Sequence, residues 1–404
     1  MKPTEMPVLR LTSSSIWRSF QNSHKKHLVL TGSKGIGKST LFQELFAFLP
    51  TSVPALHQDS HSVTIPGITT HAIPQTEVLL RDNMTGETAV IGRFSSSTSS
   101  EAGAGHQMLP VETGFLTLGM NVLKKFSASL PYDSSWVTFD ELGYLENSCP
   151  AFQREVIAVF NHHPVLAVIR KQSTPFLNSI RNRKDVFLYD LDEPVLPVGC
   201  VIMASGLGKR FGGNKLLADF HGKPLLSHII EITGHSLFAD RIVVTRNAEI
   251  QAFCKKENIP VLLHDLPGRN DTIRLGLEAL QNNINLTLRG CLFAVSDQPL
   301  LSRESLESMV LSFSQNATGI YRFCFSENSI PFLYGNPVLF EKTYFSELSQ
   351  LPPGKGGSVL LSRYADHVKS IPVIKKEELF DIDTTADLIQ LEHLLSENPS
   401  SSSF

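Results

Sequence analysis

The chain has 404 residues, 42% of them hydrophobic and 19% charged, and a formal net charge of -3. Such a length exceeds one ordinary core, so two domains of about 200 residues each are expected. The slightly acidic balance argues against a nucleic-acid scaffold, which is usually basic.

The five cysteines, Cys149, Cys200, Cys254, Cys291 and Cys324, are odd in number and widely spaced, with no C-x-x-C pair. Reduced thiols in a cytoplasmic protein fit that pattern. The opening "MKPTEMPVLRLTSSS" leads into no apolar run, so no signal peptide is expected. No stretch approaches the roughly 18 apolar residues of a membrane helix. The expected protein is cytoplasmic, with no membrane or nucleic-acid partner.

In chain order, the first strong signal is "HLVLTGSKGIGKSTLFQELFAFL", read as strand, loop and amphipathic helix. The loop satisfies G-x-x-x-x-G-K-[ST] with Gly32, Gly37, Lys38 and Ser39. With Gly35 and Thr40 it forms a candidate nucleotide site, because glycines let backbone N–H groups curve around phosphate oxygens at a helix N-terminus. Lys38 would reach the β- and γ-phosphates, and Ser39 would hold Mg²⁺. The next segment, "SSSTSSEAGAG" (95–105), reads as a flexible surface excursion. Then "SSWVTFDELGYLE" supplies an apolar strand ending in Asp140 and Glu141. The aspartate could hold the Mg²⁺ shell and the glutamate could orient an attacking water; a solvated turn is the plainer reading.

These residues resemble the P-loop nucleoside-triphosphatases of the thermophilic NTPase type. Their D-E-[IL]-G-x-[ML]-E run reads "DELGYLE" here, and the likeness covers roughly residues 25–190. It implies a site for ATP or GTP. A P-loop adaptor of molybdopterin-dinucleotide biosynthesis also carries such a loop, which would make the domain a nucleotide-dependent adaptor instead. A kinase role ranks last, because no lid with paired arginines is evident.

The proline-bearing "DLDEPVLPVG" suggests a semi-rigid linker near residue 195. The expected division is 1–192, 198–396 and a disordered tail over 397–404. Both halves alternate strands with helices, which predicts an α/β protein with parallel sheets. No internal repeat is evident.

The second half opens on a strand and then "ASGLGKRFGGNK" (204–215). It has no G-K-[ST] and no G-x-G-x-x-G in dinucleotide register. It does gather Gly206, Gly208, Lys209, Arg210, Gly212, Gly213 and Lys215, a mixture of amides and cations that suits a triphosphate. A basic turn on a solvated face is the alternative. "GRNDTIRLGLEAL" leads into a helix through Asn270 and Asp271. "CLFAVSDQPLL" ends a buried strand in Asp297, at the sheet edge where ligands bind, and a helix starts after Ser302. A carboxylate there could hold Mg²⁺ or simply cap a turn. "FDIDTTADLIQLEHLL" adds Asp381 and Asp383, the latter ambiguous between ligand and helix cap.

This set resembles the MobA-like nucleotidyltransferases, above all the molybdenum-cofactor cytidylyltransferase branch. The motifs occur in order as "MASGLGKRFGGNKLL" with "GKPLL", "DQPLL", "GNPVLF", "GKGGSVLL" and "DIDTTADL". Departures are "ASG" for the common "AAG", Lys355 for an acid, and "RNDTI" for a serine-rich run. The resemblance implies a Rossmann-like sheet, CTP as donor, Mg²⁺ as metal and a molybdopterin-type acceptor, with a molybdoenzyme or its maturation chaperone as a further partner. It places Ala204, Ser205, Gly206, Gly208, Asn270 and Asp271 around the nucleotide. Arg210 and Lys215 would neutralise departing pyrophosphate, and Asp297 and Asp383 would hold Mg²⁺. The same layout serves sugar-phosphate and polyol-phosphate nucleotidylyltransferases, which keeps the acceptor open.

Overall fold

The computed structural model describes residues 10–49, 65–94, 108–127, 135–206, 210–234, 237–283, 286–327 and 330–397. The stretch read as a flexible excursion, Gly208, Lys209 and residues 398–404 of the tail lie outside them. Contacts divide the chain between Pro194 and Val195. Residues 10–15, read from the sequence with the first domain, group with the second unit. Glu307, fully buried in the helix Arg303–Asn316, accepts hydrogen bonds from the Thr12 amide (3.2 Å) and the Ser15 hydroxyl (2.6 Å).

The first unit holds β1 (His27–Thr31), β2 (Gly67–Ile73), β3 (Glu77–Asp82), β4 (Thr88–Phe94), β5 (Met108–Pro110), β6 (Val137–Leu142), β7 (Val165–Ile169) and β8 (Val186–Asp190). Their order in the sheet is β5-β4-β3-β2-β6-β7-β1-β8. From β2 through β6, β7 and β1 to β8 every pairing is parallel. The strands β1 and β7 are buried at every position, as parallel strands covered on both faces should be. The helix Pro150–His162 buries Phe152, Val156, Val159 and Phe160 against this sheet, an i, i+4, i+7, i+8 stripe.

The sheet is mostly parallel, as expected, and turns antiparallel at its other end. β2, β3, β4 and β5 run antiparallel. The reason is local: three residues join β2 to β3, with Gln75 at φ 58, and a tight loop with Gly86 at φ 76 joins β3 to β4. A parallel crossover needs a dozen or more residues, so these connections permit only hairpins.

The second unit holds β9 (Val198–Ala204), β10 (Asp219–Phe220), β11 (Lys223–Pro224), β12 (Asp240–Thr245), β13 (Val261–Leu263), β14 (Gly290–Val295), β15 (Ile320–Glu327), β16 (Ile330–Glu341) and β17 (Val368–Pro372). The main sheet runs β13-β12-β9-β14-β16-β15-β17, and β10 pairs with β11 apart from it. It is parallel except where β16 lies antiparallel between β14 and β15. The helix Arg269–Gln281 packs Ile273, Gly276, Leu277 and Leu280 onto the sheet. A Cβ at Gly276 would stand 2.5 Å from Val201 Cγ1, so glycine allows the helix to approach this closely. No helix among the described residues is long and apolar enough to cross a membrane.

Candidate active sites

In the first unit the loop 32–37 leaves the carboxyl end of β1 and enters the helix Lys38–Leu45. Gly35 and Gly37 adopt φ of 80° and 106°, a left-handed geometry that disfavours side chains, and this turns the backbone into the helix start. Ser39 and Thr40 are exposed in the first helical turn. Lys38 is nearly buried and folds back over its own loop, donating to the carbonyls of Gly32 (3.0 Å) and Ser33 (2.9 Å). The outer limb of the loop is tethered by Asp192, which accepts from the Ser33 amide (2.8 Å) and hydroxyl (2.7 Å) and is itself paired with Lys171.

β6 and β7 lie beside β1, so their carboxyl ends converge on this loop. Glu141 stands 4.0 Å from Lys38 Nζ and 3.3 Å from Arg170 Nε, the residue that follows β7. The Asp140–Glu141 peptide is cis. Burial, reinforced by the charge of Glu141, pushes the Asp140 carboxyl up to about 6. Glu146, the last acid of the "DELGYLE" run, is buried and accepts the Gly143 amide at 2.9 Å; burial lifts it to about 7. Sequence reasoning brought Lys38, Asp140 and Glu141 together and gave Arg170 no part. Its one sequence signal is a cation directly after an apolar strand.

In the second unit a cavity of about 690 Å³ opens at the carboxyl ends of β9 and β14. Ser205, Gly206, Arg210, Lys215, Asp297, Asp381 and Asp383 line it, together with Arg246, Gly268 and Thr272. Ala204 is buried at the end of β9 and borders an adjoining cavity shared with Gly213 and Asn214. Ser205 contacts His264 Nε2 through its hydroxyl (3.0 Å), while its carbonyl accepts from Arg246 Nε (3.2 Å).

Lys215 is the hub. Its Nζ lies 2.8 Å from Asp297 Oδ2, 2.6 Å from the Ile382 carbonyl and 3.4 Å from Asp383 Oδ1. Arg210 reaches Asp383 Oδ2 at 3.3 Å. Asp381 sits at the rim, where desolvation by the surrounding protein and then the charge of Asp297 raise its carboxyl to about 6. The helix cap in "DIDTTADL" is made by other residues: the Asp387 carboxylate accepts the amides of Asp383 and Thr384. The Asp383 side chain is thereby left to face the two cations.

Asn270 and Asp271, expected around the nucleotide, both make backbone contacts. Asp271 accepts the Gly268 amide at 3.0 Å and Asn270 Oδ1 accepts the Gly354 amide at 2.8 Å. Asp271 braces the start of the helix, Asn270 ties it to the loop at Gly354, and their neighbours Gly268, Arg269 and Thr272 line the cavity. The sequence named Asp381 without a role and passed over Arg246 and His264, which carry no local motif. Among the described residues no group of three or more His, Cys, Asp or Glu side chains is disposed to hold a metal ion.

Comparison with known proteins follows the same division. Residues 27–194 match the family model described as NTPase. Residues 200–368 match the model described as MobA-like NTP transferase domain. A probable molybdenum cofactor guanylyltransferase of Thermococcus sibiricus is 22% identical over 200 residues, 48% of this chain and 97% of that protein. The nucleoside-triphosphatase THEP1 of a Thermotoga species is 23% identical over 171 residues, 41% of this chain and 86% of that protein. A solved nucleotidyl transferase from Methanothermobacter thermautotroptrophicus is 20% identical at a TM-score of 0.41, covering 50% of this chain and 99% of that one. The chain therefore joins an NTPase-family domain to a MobA-like NTP transferase domain in one polypeptide.

Proposed function

We propose that the second unit transfers a nucleoside monophosphate from a nucleoside triphosphate to the phosphate of a molybdopterin-type acceptor, releasing pyrophosphate. The observation that carries this reading is the Lys215 ammonium held between Asp297 and Asp383 at the mouth of a cavity whose other wall is a glycine-rich loop. An acceptor phosphate oxygen attacks the α-phosphorus; the bond from that phosphorus to the bridging oxygen breaks, and pyrophosphate leaves with the electron pair. A phosphate nucleophile needs no general base, so alignment and charge stabilisation are the main requirements. The Gly206 amide and Arg210 serve the triphosphate, and Lys215 meets charge developing on the departing pyrophosphate.

Mg²⁺ takes one or two protein carboxylates and completes its shell with phosphate and water, so Asp297 and Asp383 fit it as a pair of hard oxygen donors. Bound there, it would supply Lewis-acid polarisation of the phosphate oxygens. CTP is the proposed donor, on the strength of the motifs shared with the cytidylyltransferase branch. GTP is the second reading, favoured by the names of three curated relatives, each a probable molybdenum cofactor guanylyltransferase.

The first unit binds and hydrolyses a nucleoside triphosphate in this proposal. Lys38 would swing from its carbonyls to the β- and γ-phosphates, Ser39 and Asp140 would hold Mg²⁺, and Glu141 would orient the attacking water while Arg170 fixes its carboxylate. A nucleotide-dependent adaptor for a molybdoenzyme or its chaperone would bind the nucleotide with little or no turnover.

The test is pyrophosphate release by the full chain with Mg²⁺ and molybdenum-loaded molybdopterin, comparing CTP, GTP and ATP. Release with CTP that requires the acceptor and is lost in Asp297→Ala is expected. The same behaviour with GTP alone moves the donor to the second reading. Release with sugar or polyol phosphates but not with molybdopterin overturns the acceptor.

A further inference from the structure

The strand that carries "GNPVLF" lends Asn336 and Val338 to the cavity wall and continues, on the N-terminal side of that motif, into a two-stranded arm. Pairing of β14 with β16 ends at Phe293 opposite Val338. β16 begins eight residues earlier in the chain, at Ile330, and runs antiparallel. Its first half therefore extends past the carboxyl end of β14, the end after which Asp297 stands. β15 accompanies it: Arg322 lies opposite Val338, and after a register shift Cys324 lies opposite Tyr334.

Directly opposed residues on antiparallel strands share a face, as do residues two apart on one strand. Val338 lines the cavity, so Arg322, Cys324 and Tyr334 fall on the cavity face. Contact agrees with that placement: the Arg322 guanidinium carbon lies 3.6 Å from the centre of the Tyr334 ring. Tyr334 is 45% exposed, and the Arg322 Nε–H is buried without a hydrogen-bond partner. Tyrosine thus presents a ring stiffened by a stacked cation, beside an unused donor, next to the cavity residue Asn336. Phe332 falls in the second register shift of the pair, between Leu333 and Pro331, which breaks the alternation and turns it the other way, against Phe325 and Lys376.

Sheet order indicates what this platform receives. The glycine-rich loop follows β9, on one side of β14; the arm, built of β16 and β15, lies on the other side. In phosphoryl-type transfer the attacking and leaving oxygens lie roughly in line. If pyrophosphate departs toward the loop after β9, the acceptor enters from the side of β16 and β15. We infer that Arg322 and Tyr334 form the acceptor subsite, seating a flat fused heteroaromatic ring of the pterin class on their stack while its phosphate reaches toward Asp297. This inference rests on the nucleotidyl-transfer reading above. A sugar or polyol phosphate would gain little from such a surface, so the platform also selects among acceptors.

The experiment is an acceptor titration of the full chain at saturating donor, using molybdenum-loaded molybdopterin and reading pyrophosphate, for wild type, Tyr334→Leu, Arg322→Gln and Phe332→Leu. Loss of a ring stack should raise the acceptor KM by roughly tenfold in Tyr334→Leu. The donor KM and kcat should stay within about twofold, since the platform touches neither the triphosphate nor the reacting atoms. Phe332→Leu, on the opposite face of the same arm, should leave the acceptor KM unchanged. Wild-type turnover with an unchanged acceptor KM in both Tyr334→Leu and Arg322→Gln overturns the platform and leaves the functional reading intact. A raised acceptor KM in Phe332→Leu as large as that in Tyr334→Leu also overturns it, because the arm would then act only as a structural unit. Absence of molybdopterin-dependent release by wild type overturns the functional reading and this inference together.

Discussion

Replacing Lys215 by alanine tests the central feature of the transferase site. Its ammonium is 2.8 Å from one carboxylate and 3.4 Å from another, and its side chain is 11% exposed. At an effective dielectric of about 20 each contact is worth roughly 5–6 kcal/mol of gross Coulomb attraction. The net figure is much smaller, because Asp383 is 56% exposed and already well solvated. Losing the partner of the more enclosed Asp297 leaves a destabilisation of about 1–3 kcal/mol. The kinetic loss should be larger in its consequences. Removing one preorganised stabiliser of developing charge costs about 10²–10³-fold in kcat, or roughly 3–4 kcal/mol. Arginine should not restore it, since a planar guanidinium cannot occupy the position of a point-like ammonium among two carboxylates and a carbonyl.

The pH dependence of this variant carries a sign. Asp381 already has a carboxyl raised to about 6, and loss of a neighbouring cation raises this acidic group further. A raised carboxyl pKa favours the folded state below the unfolded value and costs stability as pH climbs through the folded value. Lys215→Ala should therefore be most destabilised above pH about 6 and recover part of its stability toward pH 5. Urea unfolding at pH 5 and pH 8 measures that, and pyrophosphate release at saturating substrates measures kcat. A kcat within tenfold of wild type, or a destabilisation equal at both pH values, would refute the reasoning.

In the first unit, Glu141→Gln should retain nucleotide affinity and lose about 10²-fold or more in hydrolysis, by equilibrium binding and phosphate release; unchanged turnover removes Glu141 from the water-orienting role. Lys38→Ala should lose affinity itself, because the loop's one buried cation is gone. Asp140 must be ionised to hold Mg²⁺, and burial lifts it to about 6, so kcat/KM for hydrolysis should decline below pH about 6. An acid limb centred near pH 4 would contradict that. Gly276→Ala should cost about 1–3 kcal/mol by denaturant unfolding, since its Cβ would stand 2.5 Å from Val201; a neutral result would mean that helix and sheet can move apart freely.

How much could be read in advance differs between the two sites for a physical reason. The first loop is complete within nine residues: glycines at left-handed positions, lysine, hydroxyl and helix start lie in one continuous segment. Local spacing determines its shape, so motif and geometry agree. Its acid partner was legible too, because Asp140 and Glu141 close an apolar strand, and sheet edges collect ligands. Arg170 was not legible. Its position beside Glu141 depends on β7 inserting between β6 and β1, and sheet order is not written in any short window. The hairpins from β2 to β5 were missed for a different reason: "IPQTE" and "DNMTGE" are turn sequences, but the expectation of alternating strands and helices outweighed them.

The second site is assembled from distance. Lys215 meets Asp383 across 168 positions and Asp297 across 82. The loop supplies cations and the far segments supply carboxylates, so no segment alone distinguishes a triphosphate site from a basic turn; the ordered set of motifs favours the former. The same dispersal explains Asn270 and Asp271. A short polar side chain at a helix start can bind a ligand or satisfy the first free amides, and spacing does not separate the two. Here the amides of Gly268 and Gly354 claim those oxygens. At Asp383 the competition goes the other way: Asp387 caps the helix, and the Asp383 carboxylate faces Arg210 and Lys215. Whether a polar residue is structural or functional is thus decided by which neighbour satisfies the backbone first. That competition is settled only when the chain is folded.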